Sequence, residues 1–154
     1  HRFRQAKVSV ATEAPPSLAP MAADRGQLEQ VLVNLLANAC DACAAGGHVT
    51  ARARAADDGV VLEVVDDGSG IAAGHLPSVL DPFFTTKAVG KGTGLGLAIV
   101  RRLARASGGD ARLDARPGGG IDAVVTLRAA HPAARSADSA SWDLKVARSG
   151  LAGN

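Results

Sequence analysis

Two stretches of this chain place apolar residues along one side of a helix, and each needs a surface to cover it. In the first, Leu28, Val31, Leu32, Leu35, Leu36, Ala39 and Cys43 recur at steps of three and four, the spacing of an amphipathic helix. Asp24 is its predicted N-cap with Gln27 as capping-box partner, and Gly46-Gly47 form its stop. The second runs from Thr93 to Ala106, with Leu95, Ile99, Leu103 and Ala106 on one side. Alternating runs supply the covering surface. "KVSVAT" (Lys7–Thr12) precedes the first helix, and "HVTARARA" and "VVLEVVD" flank an "ADDG" hairpin turn after it. After the second helix, "GGDARLDARPGGGIDAVVTLRAA" reads as two strands around a Pro-Gly turn. The order β, α, β, β, long loop, α, β, β predicts an α/β fold: a mixed sheet with its helices on one face.

A chain of 154 residues fits one domain, with an appendage from Pro132 onward where Ala, Ser and single charges take over. Within that tail "SWDLKV" is a candidate short strand, and its role is unknown. Aromatics are only 3%, so the core must come from Val, Leu, Ile and Ala. A net charge of +2, with scattered basic residues and no interleaved aromatics, argues against a nucleic-acid platform. No apolar stretch approaches the roughly 20 residues of a membrane span, and no signal peptide is read at the start. The chain starts at His1 and reads as a fragment. Cys40 and Cys43 form C-x-x-C near His48, short of the four ligands of a zinc site. They read as small apolar filler in a reducing compartment.

The polar residues carry the chemistry. Asn34 and Asn38 lie one turn apart with Asp41 three residues on, a stripe without Lys or Arg beside a buried face. Solvated helix faces usually carry Glu, Lys and Arg instead. Asp66 ends a strand and is followed by Gly68, Gly70 and the apolar Ile71. An unpaired carboxylate there can accept from an exocyclic amine, while the glycines let a flat ring approach the backbone. Glycine then recurs at Gly90, Gly92, Gly94 and Gly96, directly before the second helix. Each glycine costs roughly 0.5–1 kcal/mol in a regular element, so the run implies mobility or close approach. It matches neither G-x-x-x-x-G-K-[ST] nor G-x-G-x-x-G. What remains is a glycine-rich lead into a helix N-terminus, an anion site to which Thr93, Lys87 and Lys91 add a hydroxyl and cations.

Taken in order, "EQVLVNLLANACDA", "DDGSG", "DPFFTTK" and "GTGLGLAIV" resemble the N, G1, F and G2 boxes of the ATP-binding catalytic domain of sensor histidine kinases. That domain belongs to the superfamily shared with DNA gyrase B subunits, mismatch-repair ATPases and the heat-shock chaperone ATPase. The boxes span Glu29 to Val100, and the flanking strands extend the likeness over roughly residues 7 to 130. The resemblance implies a two-layer α/β sandwich of the Bergerat type with a flexible ATP lid, here within residues 1–131, and residues 132–154 as a tail. It implies Asn38 as magnesium ligand and Asp66 as the carboxylate for the adenine amino group, with Gly68 and Gly70 shaping that pocket. Gly92, Gly94 and Gly96 correspond to the lid hinge and phosphate cradle, and Asn34, Lys87, Thr93 and Leu95 complete the expected ATP contacts. Two positions depart from the family. Many relatives carry lysine or arginine where this chain has Asp41, with Lys87 or Lys91 as replacements, and Asp81 opens the F box where glutamate is frequent. "NACDA" and the short lid look most like the nitrogen-regulation and dicarboxylate-sensing branch.

The implied cofactors are ATP and Mg2+. The implied partners are the protein's own dimerisation and phosphoacceptor domain and a response regulator. Neither nucleic acid nor membrane is contacted by this portion, and dimerisation is expected only of the full-length protein. The resemblance places the catalytic portion in the cytoplasm, under a sensor that can itself be membrane-anchored. A hydrolytic ATPase of the gyrase or mismatch-repair type is the alternative, but it needs a glutamate where this chain has Asn34. A nucleotide-sensing module and an anti-sigma serine kinase are disfavoured by the filled ligand positions and the well-formed G2 box. None of His1, His48, His75 and His131 sits on a predicted helix beside an acid, as a phosphoacceptor would. No catalytic residue is therefore expected within the chain itself, and the acceptor hairpin is expected elsewhere.

Overall fold

A computed structural model describes residues 7–18, 21, 23–88 and 92–129. The elements follow the predicted order: β1 (Ser9–Glu13), α1 (Arg25–Ala42), β2 (His48–Ala56), β3 (Gly59–Asp66), a short 3-10 turn (Leu76–Ser78), α2 (Gly96–Ala106), β4 (Asp110–Ala115) and β5 (Ile121–Arg128). The strands form one mixed sheet in the order β1-β2-β3-β5-β4. Only β1 and β2 pair in parallel, because α1 carries the chain back between them. The other neighbours are antiparallel. The β4–β5 hairpin inserts β5 beside β3, pairing Val65 with Asp122. This brings the start of β5 against the end of β3, where Asp66 stands.

Helix α1 begins as its sequence indicates: the Asp24 carboxylate accepts from the Gln27 backbone N–H at 3.0 Å. Just beyond its end, Gly46 adopts φ +89° and its N–H donates to the Lys7 carbonyl, tying the helix exit to the sheet. Helix α2 starts at Gly96, later than the expected Thr93. Gly94 has φ +65°, outside helical space, and Thr93 Oγ1 instead accepts from Leu95 N at 3.3 Å. The glycine run therefore ends in a turn that delivers the chain to the helix.

Leu28, Val31, Leu35 and Ala39 of α1 and Val100, Leu103 and Ala104 of α2 form one core with Val60, Leu62, Val64, Ala123, Val125 and Leu127 of the sheet. The sheet residues alternate along their strands, so both helices lie on the same face. This is the two-layer sandwich expected. Val100 and Ala104 are fully buried, and small side chains allow α2 to sit close beneath its neighbours. The opposite face carries cross-strand ion pairs, Arg52–Glu13 at 2.8 Å and Arg54–Glu63 at 3.1 Å. No described helix is long and apolar enough to cross a membrane. The tail reading of residues 132–154, the strand in "SWDLKV", and the expectations for Lys91, His1 and His131 fall outside the described residues.

Candidate nucleotide site

Between the helices and the ends of β3 and β5 lies a small apolar chamber of about 60 Å3, adjoining a polar groove of about 700 Å3. Asn38, Ala42, Gly70, Ile71 and Leu97 line both, so the two are continuous. Asp66 is the acid of the chamber and is 4% exposed. Its Oδ1 accepts from Gly68 N at 2.9 Å and from Ile121 N at 3.3 Å. Its Oδ2 takes no hydrogen bond from a described residue. Burial pushes the Asp66 carboxyl above the ordinary aspartate range, against the two N–H bonds, which pull it down; Asp67 adds to the rise and Arg116 opposes it. Apolar walls with one free carboxylate oxygen can receive a flat ring bearing an amino group.

The end of β3 is secured from three sides. Arg116 Nη1 donates to the Asp66 carbonyl at 2.8 Å, and Gly120, at φ +84°, packs so close that a Cβ would lie 2.0 Å from that oxygen. Gly68 lies against α1, where a Cβ would stand 2.6 Å from the Ala42 carbonyl. Asp67 accepts from His48 N at 2.8 Å, faces His48 Nδ1 at 3.1 Å and takes the Cys43 thiol at 3.5 Å. Those bonds, led by the His48 N–H, hold the Asp67 carboxyl below its ordinary range.

The groove has a different construction. A Cβ on Gly96 would stand 3.5 Å from Asn34 Oδ1 and 3.7 Å from Asn38 Nδ2, so the start of α2 faces the asparagine stripe of α1. No side chain caps α2 and its first turn contains no acid, which leaves its N–H groups and dipole available to an anion. Lys87 Nζ lies 2.8 Å from Asp41 Oδ2 and 3.4 Å from Asn38 Oδ1. Gly94 makes the closest approach in this region: Phe83 N donates to its carbonyl at 2.9 Å, and a Cβ would meet Phe83 C at 2.4 Å. The Thr93 hydroxyl accepts locally from Leu95 N and keeps its own proton to donate.

Residues 23–131 match the family of histidine kinase-, DNA gyrase B- and HSP90-like ATPases. The chain belongs to this family. Among curated relatives it is 48% identical over 123 residues to the sensor kinase CckA of Brucella abortus, covering 70% of the chain and 13% of CckA. It is 41% identical over 124 residues to the histidine-protein kinase AtoS of Escherichia coli, covering 80% of the chain and 20% of AtoS. The chain thus spans a fifth or less of the length of these kinases. The solved catalytic domain of histidine kinase ThkA superposes with TM-score 0.72 at 28% identity, covering 84% of this chain and 86% of that one. Full-length ShkA in complex with AMPPNP superposes with TM-score 0.70 at 32% identity, covering 84% of this chain and 27% of that one. The fold and the order of the boxes are those of a histidine kinase ATP-binding catalytic domain.

Of the residues expected at an ATP site, Asn34, Asn38, Asp66, Gly70, Lys87, Gly92, Thr93, Gly94 and Gly96 line the connected cleft. Gly68 stands behind the chamber and contributes its N–H to Asp66. Leu95 precedes α2 outside the lining, and Leu97 occupies the wall instead. Asp66 is not the unpaired carboxylate its sequence suggested, since two backbone donors hold one oxygen. Arg116, Gly120 and Ile121 were missed; the triple glycine in "RPGGGI" was their signal, read only as a turn. His48 does have an acidic partner, Asp67, but at the first residue of a strand. His75 packs edge-on to Phe84 with ring centroids 5.6 Å apart. The C-x-x-C is filler and support: Cys40 is buried, and burial with the Asp67 bond pushes the Cys43 thiol up to about 11. Among the described residues no cluster of His, Cys, Asp and Glu could hold a metal.

A magnesium ion needs less than such a cluster. It takes hard oxygens, keeps several waters and is commonly held by one or two protein groups together with phosphates. Asn38 Oδ1 faces the groove, the Asp41 carboxylate is near it, and an ammonium already stands beside that amide oxygen. The residues fit the ion.

Proposed function

We propose that this domain binds ATP with its adenine in the chamber and its phosphates in the groove, and passes the γ-phosphoryl group to a histidine on a dimerisation domain of the same sensor kinase. We assign residues 1–131 to the catalytic domain and 132–154 to an appendage. One observation carries the reading: the free Oδ2 of Asp66 and the uncapped start of α2 belong to one continuous cleft. Asp66 accepts the adenine amine, while the N–H groups of α2, Asn34, Thr93 and Lys87 receive phosphate oxygens. Asn38 contributes the protein oxygen for Mg2+, which when bound neutralises charge on the phosphates. Transfer of this kind depends chiefly on positioning and charge, which these groups supply. Cytoplasmic placement and onward transfer to a response regulator follow from the same reading.

The test is incubation with γ-labelled ATP, alone and with the separately produced dimerisation hairpin of its gene. Acid-labile label on the hairpin, and none on the isolated chain, is the expected result. Label on the chain itself, or none on the hairpin despite bound ATP, overturns the transfer assignment. Hydrolysis should be very slow, because Asn34 cannot act as a general base. Rapid steady-state turnover would favour the hydrolytic ATPase.

A further inference from the structure

Lys87 and Asp41 form an ion pair inside the phosphate groove, and the ammonium also faces the oxygen assigned to the metal. The pair lies on two separate pieces of chain, Asp41 on α1 and Lys87 on the segment before the glycine run. A divalent ion on Asn38 Oδ1 would stand roughly 2.0–2.1 Å from it, close to a positive charge now 3.4 Å away from the same atom. Two cations so placed repel each other, and the ammonium is the one on a flexible stem. The Lys87 backbone is anchored independently, its N–H bonded to Thr85 Oγ1 at 3.2 Å. Its stem runs past Gly92, where an added Cβ would stand 3.2 Å from Lys87 Cβ and 3.3 Å from Cδ. The side chain can thus turn while its backbone stays, beside the glycines that lead to the phosphate-facing end of α2.

We propose that Asp41 and Lys87 set the metal requirement of nucleotide binding. Without metal, Asp41 detains Lys87 beside Asn38 Oδ1, and the polyphosphate meets an ammonium whose charge is already matched. When a divalent ion takes the amide oxygen, Lys87 turns to the phosphates and the bared Asp41 carboxylate favours the ion and its waters. Asp41 is then a positioning residue for a cation delivered from another segment. This inference rests on the nucleotide reading of the cleft.

The measurement is the affinity for a non-hydrolysable ATP analogue by calorimetry, in chelator and in saturating magnesium, and the ratio of the two dissociation constants. Asp41→Asn frees Lys87 and removes a negative charge, so metal-free binding should tighten and the magnesium-dependent gain should shrink, on the order of tenfold. Lys87→Met bares the Asp41 carboxylate. Metal-free polyphosphate should bind more weakly against that charge, while with magnesium the lost ammonium–phosphate contact is offset by a stronger site for the ion, so the gain should rise. Both side chains are substantially exposed, 42% for Asp41 and 36% for Lys87, so the fold should tolerate either change. Opposite movements of the ratio support the proposal. A ratio unchanged within about twofold in both variants, or moving the same way in both, overturns it. If the unaltered protein binds the analogue in neither condition, the nucleotide reading itself falls, and this inference with it. Normal magnesium-dependent binding with unresponsive variants removes this inference alone.

Discussion

The two ends of the cleft are built from different parts of the chain. At the chamber the contacts are main-chain: two N–H groups on one carboxylate oxygen, an arginine on the Asp66 carbonyl, and glycines pressed against neighbouring backbone. At the groove, apart from the backbone contact of Gly94 with Phe83, the groups facing the cleft are side-chain ends: two asparagines, one carboxylate and one ammonium, most of them partly exposed. Backbone contacts fix a shape and leave little to adjust. Side-chain ends can exchange partners at small cost, because exposed ion pairs contribute only about 0–1 kcal/mol. On the proposed reading, the chamber is therefore suited to discriminate among rings, and the groove to change state as phosphates and metal come and go.

The same substitution should have very different consequences at the two ends. Gly120→Ala puts a Cβ 2.0 Å from the Asp66 carbonyl at φ +84°. Strain and overlap there should cost at least about 2 kcal/mol and lower the Tm by roughly 10 °C. Gly96→Ala meets nothing closer than 3.5 Å and lies at the start of a helix, so the Tm should stay within a few degrees. Thermal unfolding that treats the two alike would remove the distinction.

Next in size is the free oxygen of the chamber. Asp66→Asn keeps an acceptor for Gly68 and Ile121 but then presents an amide N–H to the ring amine. A hydrogen bond to a charged group contributes about 1.5–3 kcal/mol, so ATP affinity should fall on the order of 100-fold by calorimetry. Alanine is a worse probe, since it strands two backbone donors. Unaltered affinity in the folded Asn variant would exclude Asp66 from adenine. In the groove, Asn38→Ala should lose about tenfold with magnesium and little in chelator. Equal losses in both conditions would make Asn38 structural.

These two ends were not equally legible in the sequence. The groove could be read from residue types at helical spacing: Asn34, Asn38 and Asp41 share a stripe whatever the rest of the fold does. The frame of the chamber could not. Arg116 and Ile121 reach Asp66 across 50 and 55 residues, through a register that only the paired sheet establishes. The start of α2 was misjudged for a local reason, because Thr93 and Leu95 fit the helical pattern while Gly94 turns the chain out of it. Lys87 reads from the sequence as a cation for phosphate, but its partner on α1 depends on how the long loop folds back.

Two neighbouring carboxylates respond to pH in opposite directions. Burial raises Asp66, whereas the His48 N–H and its other bonds lower Asp67. In the proposed complex the ionised form of Asp66 accepts the ring amine, so ATP affinity should fall as pH drops towards its raised pKa, up to about tenfold per unit below it. Stability follows separate windows. For Asp66 the folded state binds the proton more tightly, so its contribution rises as pH falls from the folded pKa to the ordinary aspartate value. Asp67 contributes stability above its unfolded pKa, and this is lost only as pH falls through its lowered folded one. Binding should therefore weaken while the protein is still folded. Affinity that stays flat down to the unfolding pH would contradict the assignment of Asp66.

How far the rigidity of the chamber extends behind it can be read from a single thiol. Cys43 lies at the exit of α1, and its thiol bonds to Asp67, which in turn fastens the start of β2 to the turn after β3. Burial and that bond raise its pKa from 9.0 to about 11. At neutral pH this leaves about a hundredfold less thiolate than in a free cysteine, and alkylation needs thiolate. Cys43 should label slowly, and Cys43→Ser, which preserves a donor of similar size, should leave ATP affinity within about twofold. Asp67→Asn should speed labelling, because the remaining amide oxygen is a weaker, uncharged acceptor for the thiol and the frame loses the carboxylate oxygen that faces His48. Should Cys43 label as fast as a free thiol in the unaltered protein, the support behind the chamber opens readily, and the contrast between a fixed end and an adjustable one stops at Asp66.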